Sequence, residues 1–303
     1  MAEIVTPGAV LQRGLDLVGF NFQRQQSVRR SKNIERFCTH FGSRPAVCAN
    51  IWSDLQLTED PDVRVEPSKI GSSLEHLLMA AHFLKCYPKE NESEAIFKLS
   101  DSTIRKWVWF YVQKLQALKA QKIVWPSHWN PAESPNDDDT TFVITVDGVH
   151  CRIYEPKHGT YSKNPKFYSH KFKQAGLAYE IALSIYENKC VWINGPFAAG
   201  KNDVSIFRSA LKQRMAGKLG IADKGYRGEA VLLAASSSLD TPEVREFKSR
   251  ALARHEKFNG QMKNFGCLSE QFRHGLEKHK MCFEAVGVIC QCQLENGSPL
   301  MVV

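Results

Sequence analysis

The segment PSHWNPAESPNDDDT at residues 126–140 separates two stretches of chain with different periodicity. Proline, asparagine, aspartate and serine crowd it, and each favours turns and adds little to a packed core. Before it, apolar residues recur at helical spacing; after it, β-branched and aromatic residues come in short runs. A chain divided this way folds as two units. We read residues 1–125 as an all-α N-terminal domain, 126–140 as a linker and 141–303 as an α/β domain. With 303 residues, 43% of them hydrophobic, such a chain can bury its cores without disulfide staples.

In the first half, NIERFCTHF ends at Gly42, a natural C-cap, and Pro45 opens a second helix through AVCANIWSDL. Leu74 to Cys86 reads as an apolar helix closed by Pro88. Residues 92–99 then lead through Ser100 into DSTIRKWVWFYVQKLQAL. There Ile104, Val108, Val112 and Leu115 mark one face, with Ser102, Arg105 and Lys106 on the other. Helix, turn and helix in this order would offer Arg105 and Lys106 to DNA; an α-helical bundle with a solvated basic edge is the alternative.

In the second half, TFVITVDG, CRIYEP and GLAYEIALSIYENKCVWINGP read as three to four strands. Helical stretches around 205–216 and 242–265 follow, separated by the strand-like GIADKGY and the apolar VLLAAS. Cys290 and Cys292 in ICQC alternate as core positions of a strand would.

Lysine plus arginine exceed aspartate plus glutamate by 40 to 32, a net +8 that favours polyanionic partners. The excess is concentrated between residues 150 and 175, where Arg152, Lys157, Lys163, Lys166, Lys171 and Lys173 face Glu155 alone. Tyr154, Tyr161, Phe167, Tyr168 and Phe172 interleave with them, bases to grip phosphates and rings to stack on unpaired nucleobases. The nine cysteines contain no C-x-x-C pair, so neither a disulfide framework nor a zinc finger is readable and a reducing compartment is expected. No apolar run approaches the ~20 residues of a membrane span, and MAEIVTPG lacks the form of a signal peptide. We therefore expect an intracellular, non-membrane protein. Arg29, Arg30, Ser31 and Lys32 read either as a nuclear import signal or as a solvated face.

Three acids stand where chemistry would use them: Asp147 at the end of FVITV, Asp203 in the loop after KCVWING, and Glu256 inside ALARHEKFNGQMKNF. Carboxylates are the ligands of hard cations such as Mg²⁺, and two such ions stabilise the attacking and leaving oxygens of a phosphoryl transfer. Taken singly, each acid is equally readable as a turn or cap residue. Asp223 is an alternative third ligand to Glu256, its other role being to cap the turn into Lys224 and Gly225. His150 and His255 adjoin the pattern as candidates to orient water or phosphate, although imidazole is not the preferred ligand of Mg²⁺.

The ordered pieces VDGVH, YSHKFKQAGLAYEIALSI, INGPFAAGKNDVSIFR, IADKGYRGE, RALARHEKFNGQMKNFGCLSEQFRH and HKMCFEAVGVICQCQLENGSPL span residues 140–303. Together they resemble the DDE superfamily endonucleases of PIF/Harbinger-type transposons. The resemblance implies an RNase H-like mixed sheet flanked by helices. In it, Asp147 comes from the first strand, Asp203 follows the fourth and Glu256 lies on a later helix, the three holding two Mg²⁺ or Mn²⁺ ions. It implies nicking at transposon ends followed by transfer of the freed 3′-hydroxyl to target DNA, by an oligomer acting in the nucleus with a separate Myb-like DNA-binding partner. A related bacterial pattern places a lysine seven positions after the glutamate, matched by Lys263 on the same helix face. It also places an arginine four before, where Leu252 stands between Arg250 and Arg254, and a tyrosine that Tyr226 matches. Lys171 and Lys173 complete the set of expected DNA contacts. A domesticated descendant that binds DNA or protein without strand transfer is the alternative function, and a nuclease that does not transpose is a third.

Overall fold

The computed structural model describes residues 4–21, 29–127, 129, 142–155, 164–229, 233–234 and 237–301. Most of the expected linker, together with Lys157, Tyr161 and Lys163, lies outside these residues. The chain forms two compact units: residues 1–122, 263–269 and 281–298 make one, and 123–262, 270–280 and 299–303 the other.

The N-terminal part of the first unit is all-helical: α1 (Pro7–Leu17), α2 (Arg30–Phe41), α3 (Pro45–Leu57), α4 (Pro67–Ile70), α5 (Leu74–Cys86), α6 (Glu90–Phe97), α7 (Asp101–Ala117) and α8 (Lys119–Lys122). Local chemistry sets the boundaries. Thr6 Oγ1 accepts the Ala9 N–H at 3.2 Å to start α1, and His76 Nδ1 accepts the Ser73 N–H at 2.9 Å at the start of α5. Gly42 ends α2 at φ 73°, and Pro45 opens α3. Phe37, Phe41, Trp52, Leu78 and Tyr111 are fully buried.

On α7 the apolar stripe is buried and Ser102, Arg105 and Lys106 are exposed, as the spacing predicts. On this edge Arg105 donates through Nε and Nη2 to the two carboxylate oxygens of Glu90, each at 3.0 Å, and through Nη2 to Asp101 Oδ2 at 2.9 Å. Lys106 Nζ lies 4.4 Å from the centre of the Trp107 ring.

The second unit is built on a mixed sheet of six strands: β1 (Phe142–Arg152), β2 (Tyr168–Ser169), β3 (Gln174–Ser184), β4 (Cys190–Ala198), β5 (Leu219–Ala222) and β6 (Leu233–Ala234). Strands β1, β3 and β4 pair antiparallel, and β5 and β6 continue the sheet parallel to β1. The pieces TFVITVDG and CRIYEP belong largely to one strand, because β1 passes through Gly148 without breaking its ladder to β3. Helices α9 (Asp203–Ser209) and α10 (Leu211–Met215) cover one face, where Val146, Ala182, Phe207, Leu211, Met215 and Tyr226 form a core. Trp125 and Trp129 pack against this core, so the unit begins upstream of the expected linker. On the other face lies α11 (Pro242–Lys263), whose His255 meets Thr145 of β1 through Nδ1 and Oγ1 at 2.8 Å. This is the α/β arrangement expected: a mixed sheet flanked by helices, following an all-helical region.

Two segments after α11 depart from the expected domain limits. α12 (Gly266–Ser269) and residues 281–295 of α13 (Leu276–Glu295) belong to the first unit. Polar contacts fix α13 there. Glu284 receives Lys119 Nζ at 2.5 Å and Gln116 Nε2 at 2.6 Å, and Gln293 Nε2 donates to Gly42 O at 2.8 Å. Cys290 and Cys292 therefore sit on a helix and not a strand; residues 282–292 of that helix are buried on every side, and short apolar runs do not reveal their period. All nine cysteines are free thiols. No described helix is long and apolar enough to cross a membrane.

Gly42 tests the packing of the helical unit. A Cβ there would fall 2.5 Å from Phe265, whereas at Gly71, with a similar φ of 68°, it would meet nothing within 4 Å. We expect Gly71→Ala to cost about 1 kcal/mol of backbone strain and Gly42→Ala roughly 2 kcal/mol or more, read as urea midpoints. Equal midpoints for the two variants would show that Phe265 does not constrain this turn.

Candidate active site

The parallel register of β1 and β5 creates the site. Val146 pairs with Ala222, so Asp147, still within β1, and Asp223, the first residue past β5, stand where the parallel pairing ends. Asp203 is brought in from α9, whose first turn is fixed by Asn202 Oδ1 accepting the Ser205 N–H at 2.8 Å. Two glycines make room for it. A Cβ on Gly148 would lie 2.6 Å from Asp203 Oδ1, and one on Gly225 would lie 2.9 Å from Asp223 Oδ1 and 3.2 Å from Asp203 Oδ2. Any larger residue at either position would intrude on the carboxylates.

Backbone and side-chain donors hold the acids. Asp147 Oδ1 accepts the Gly148 N–H at 2.8 Å, and its Oδ2 accepts Asn259 Nδ2 of α11 at 2.8 Å. Asp223 Oδ1 accepts the Gly225 N–H at 2.7 Å, so it caps its turn and faces the site at once. Burial pushes the Asp147 carboxyl up to about 6; the Gly148 N–H opposes this, the charges of Asp223 and Asp203 reinforce it, and Lys171 opposes it. Asp203 is raised by burial and by Asp223, again with Lys171 opposing. Lys171, exposed in the basic segment, is thus the cation nearest in effect to the cluster.

A fourth acid lies deeper. Glu180, the β3 partner of Gly148, is 1% exposed. Trp192 Nε1 donates to its Oε2 at 3.0 Å, while its Oε1 has no partner. Burial raises it to about 7, against the Trp192 bond and with the help of Asp203. Tyr226 is buried beneath the same cluster with an unpartnered hydroxyl, held protonated well above the usual phenol range by burial and then by Glu180, Asp203, Asp147 and Asp223.

The structure thus brings together Asp147, Asp203 and the alternative ligand Asp223. Glu256 is exposed on α11, about 60° further round the helix than Asn259, and the charges bearing on Asp147 come from Asp223, Lys171 and Asp203. Sequence reasoning missed Asn259 and Glu180. The signal for Glu180 was an acid inside the otherwise apolar strand GLAYEIALS; Asn259 carried none, being one amide in a polar helix stretch.

Several expected DNA contacts are placed otherwise. Arg254 is buried and donates to the carbonyls of Ile185 and Glu187, bracing the β3–β4 turn, with its own pKa lowered to about 10 by burial. It is a structural residue, because α11 turns that position toward the sheet. Lys263 donates to Leu268 O at 3.1 Å and belongs to the helical unit. Arg250, Lys171 and Lys173 are exposed. In the basic segment, Arg152 lies 4.9 Å from the Phe172 ring centre, and Tyr154 and Tyr168 are exposed. His150 and His255 are engaged by Ser169 and Thr145.

Chemically, the cluster is a hard, anionic oxygen set: burial, with neighbouring carboxylate charge adding to it, raises Asp147 and Asp203, and a divalent cation would relieve both. The glycine-lined gap and this donor set fit Mg²⁺ or Mn²⁺. The trio is open and not a closed cage, since its oxygens do not all come within 4.8 Å of one another. No protein-family model, curated protein or solved structure matches the chain.

Glu180 gives a sign-defined prediction. A carboxyl whose folded pKa lies above its unfolded value binds protons preferentially in the folded state, so stability falls as pH rises from about 4.5 to about 7. Glu180→Gln keeps an acceptor for Trp192 and removes that slope. We expect it to stabilise the protein by about 1–3 kcal/mol at pH 8 and to leave it little changed at pH 4. A variant as pH-sensitive as wild type in thermal melts would refute the assignment.

Proposed function

We propose that this chain is a divalent-cation-dependent DNA endonuclease of DDE type, with Asp147, Asp203 and Asp223 as its metal-holding carboxylates. The observation that carries this is the placing of Asp147 and Asp223 where the parallel pairing of β1 and β5 ends, with Asp203 admitted over Gly148. The mixed sheet supports an RNase H-like reading, because three antiparallel strands are continued by two parallel ones and the acids gather where the parallel pair ends. The resemblance to PIF/Harbinger-type endonucleases points the same way, with DNA as substrate and the nucleus as the place of action.

Mg²⁺ or Mn²⁺ held by the three carboxylates would supply a water activated for attack and charge neutralisation on the phosphate. The chain's own part is positional. Asn259 and the Gly148 N–H fix both oxygens of Asp147, so it presents one geometry to its ligand. Lys171 draws the phosphodiester toward the acids that would otherwise repel it, while Lys166, Lys173 and Tyr168 extend the exposed surface along which a strand lies. Tyr226, kept neutral, closes the floor of the site against bulk water. Glu256 falls outside this set. Recognition of transposon ends is left to a separate Myb-like partner, in keeping with the engaged state of Arg105.

The test is nicking of supercoiled plasmid with Mg²⁺, Mn²⁺ or EDTA. We expect metal-dependent nicking that falls roughly 100-fold or more in Asp147→Asn, Asp203→Asn and Asp223→Asn, and stays within about threefold of wild type in Glu256→Gln. Loss in Glu256→Gln with retention in Asp223→Asn would return the third ligand to Glu256. Absence of nicking by folded wild type with every ion would favour the domesticated DNA- or protein-binding factor.

A further inference from the structure

The helical unit holds a second cluster of ligand-type side chains, chemically unlike the acidic one. His40 is the next-to-last residue of α2, and His82 and Cys86 stand one turn apart on α5, where i and i+4 project from the same face. Their ligand atoms all lie within 4.8 Å of one another, the one such group of histidine, cysteine and acid side chains among the described residues. His82 is 2% exposed, yet its Nδ1 has no hydrogen-bond partner; the Nδ1 of His40 is buried and unpartnered as well. Buried polar atoms without partners are uncommon, and an absent ion is one of the few physical reasons for them. The two imidazoles stack at 5.7 Å, and Phe20, Phe41 and Phe97 wall them in, with ring centres 5.7, 6.2 and 5.3 Å from the nearer histidine. Cys86 Sγ donates to the carbonyls of Thr39 at 3.8 Å and His40 at 3.5 Å.

We propose that His40, His82 and Cys86 form a site for a soft or borderline d¹⁰ cation, with Zn²⁺ as the ion of choice and an exogenous ligand in the fourth position. Two imidazoles and a thiolate select such an ion over Mg²⁺ and Mn²⁺, which prefer oxygen. A tetrahedral Zn²⁺ with bonds of about 2.0–2.3 Å sets its ligand atoms about 3.4–3.7 Å apart, so atoms that all lie within 4.8 Å of one another need to close by about 1.4 Å at most. Burial favours the neutral imidazole that ligates: His82 is pushed down to about 4 and His40 is also lowered. On binding, the Cys86 S–H bond breaks, its proton passes to solvent and the sulfur pair forms the bond to the metal. The ion would tie the end of α2 to the last turn of α5.

The test uses the full chain, titrated with Co²⁺ as a spectroscopic stand-in for Zn²⁺ in excess Mg²⁺. One equivalent of Co²⁺ should give the strong visible absorption of a tetrahedral ion and a near-ultraviolet thiolate-to-cobalt charge-transfer band, both displaced by Zn²⁺. Cys86→Ser should remove the charge-transfer band, Cys38→Ser should keep it, and His40→Asn, at a half-buried position, should weaken binding at least tenfold. Asp147→Asn should leave both signals unchanged, since oxygen ligands give neither. A purely octahedral spectrum in wild type, or a charge-transfer band surviving in Cys86→Ser, overturns the proposal. Should Cys86→Ser fail to fold, undiminished binding in His40→Asn overturns it instead.

Discussion

The parallel pairing of β1 with β5 is the constraint on which the α/β unit depends. Its register is fixed by apolar residues, Val146 against Ala222 and Thr145 against Ile221, yet its consequence is electrostatic, because each strand ends its pairing at an aspartate. Two carboxylates a few ångströms apart repel by roughly 3–4 kcal/mol at an effective dielectric near 20. The fold accepts that repulsion and offsets part of it locally. The Gly148 N–H and Asn259 stabilise the Asp147 anion, and Lys171 opposes the field from outside. Burial first, and then the remaining repulsion from Asp223 and Asp203, raises the Asp147 carboxyl toward its neutral form.

Local chemistry is why most of the helical boundaries were legible. Gly42, Pro45 and Ser100 each do one thing to the backbone irrespective of context, and the helices begin or end beside them. The α5 limits follow from an apolar run between Ser73 and Pro88 in the same way. Where burial and not a cap decides, the pattern lost its meaning. ICQC reads as an alternating strand only until α13 is seen to be buried on every side over residues 282–292, where no solvent-facing stripe marks a helical period.

The site was legible in its acids and illegible in their company. Asp203 opens a helix, Asp223 follows a strand and Asp147 ends the apolar run of its strand, places where a carboxylate stands out in the sequence. That Asp223 comes beside Asp147 follows from the strand register, which spacing along the chain does not carry. Arg254 shows the same limit. A positive residue on an amphipathic helix in a basic protein reads as a phosphate contact, but the helix phase set by Ala251, His255 and Phe258 turns it inward, where two backbone carbonyls replace solvent.

Buried titratable groups of opposite sign then shape how the molecule responds to pH. His82 and His255, lowered to about 4 and about 3, bind protons less readily folded than unfolded, so stability falls as pH drops below about 6.5. Asp147 and Glu180, raised to about 6 and about 7, have the reverse effect, and stability falls as pH climbs from about 4 to 7. The two slopes act over overlapping windows and partly cancel, which leaves a broad optimum on the acid side of neutrality for the protein without cations. A divalent ion on the carboxylates reverses the upper slope at Asp147, because the anion becomes the favoured form. The acids that cost stability in its absence would then contribute to it, and the range in which the protein is most stable would move toward neutral pH.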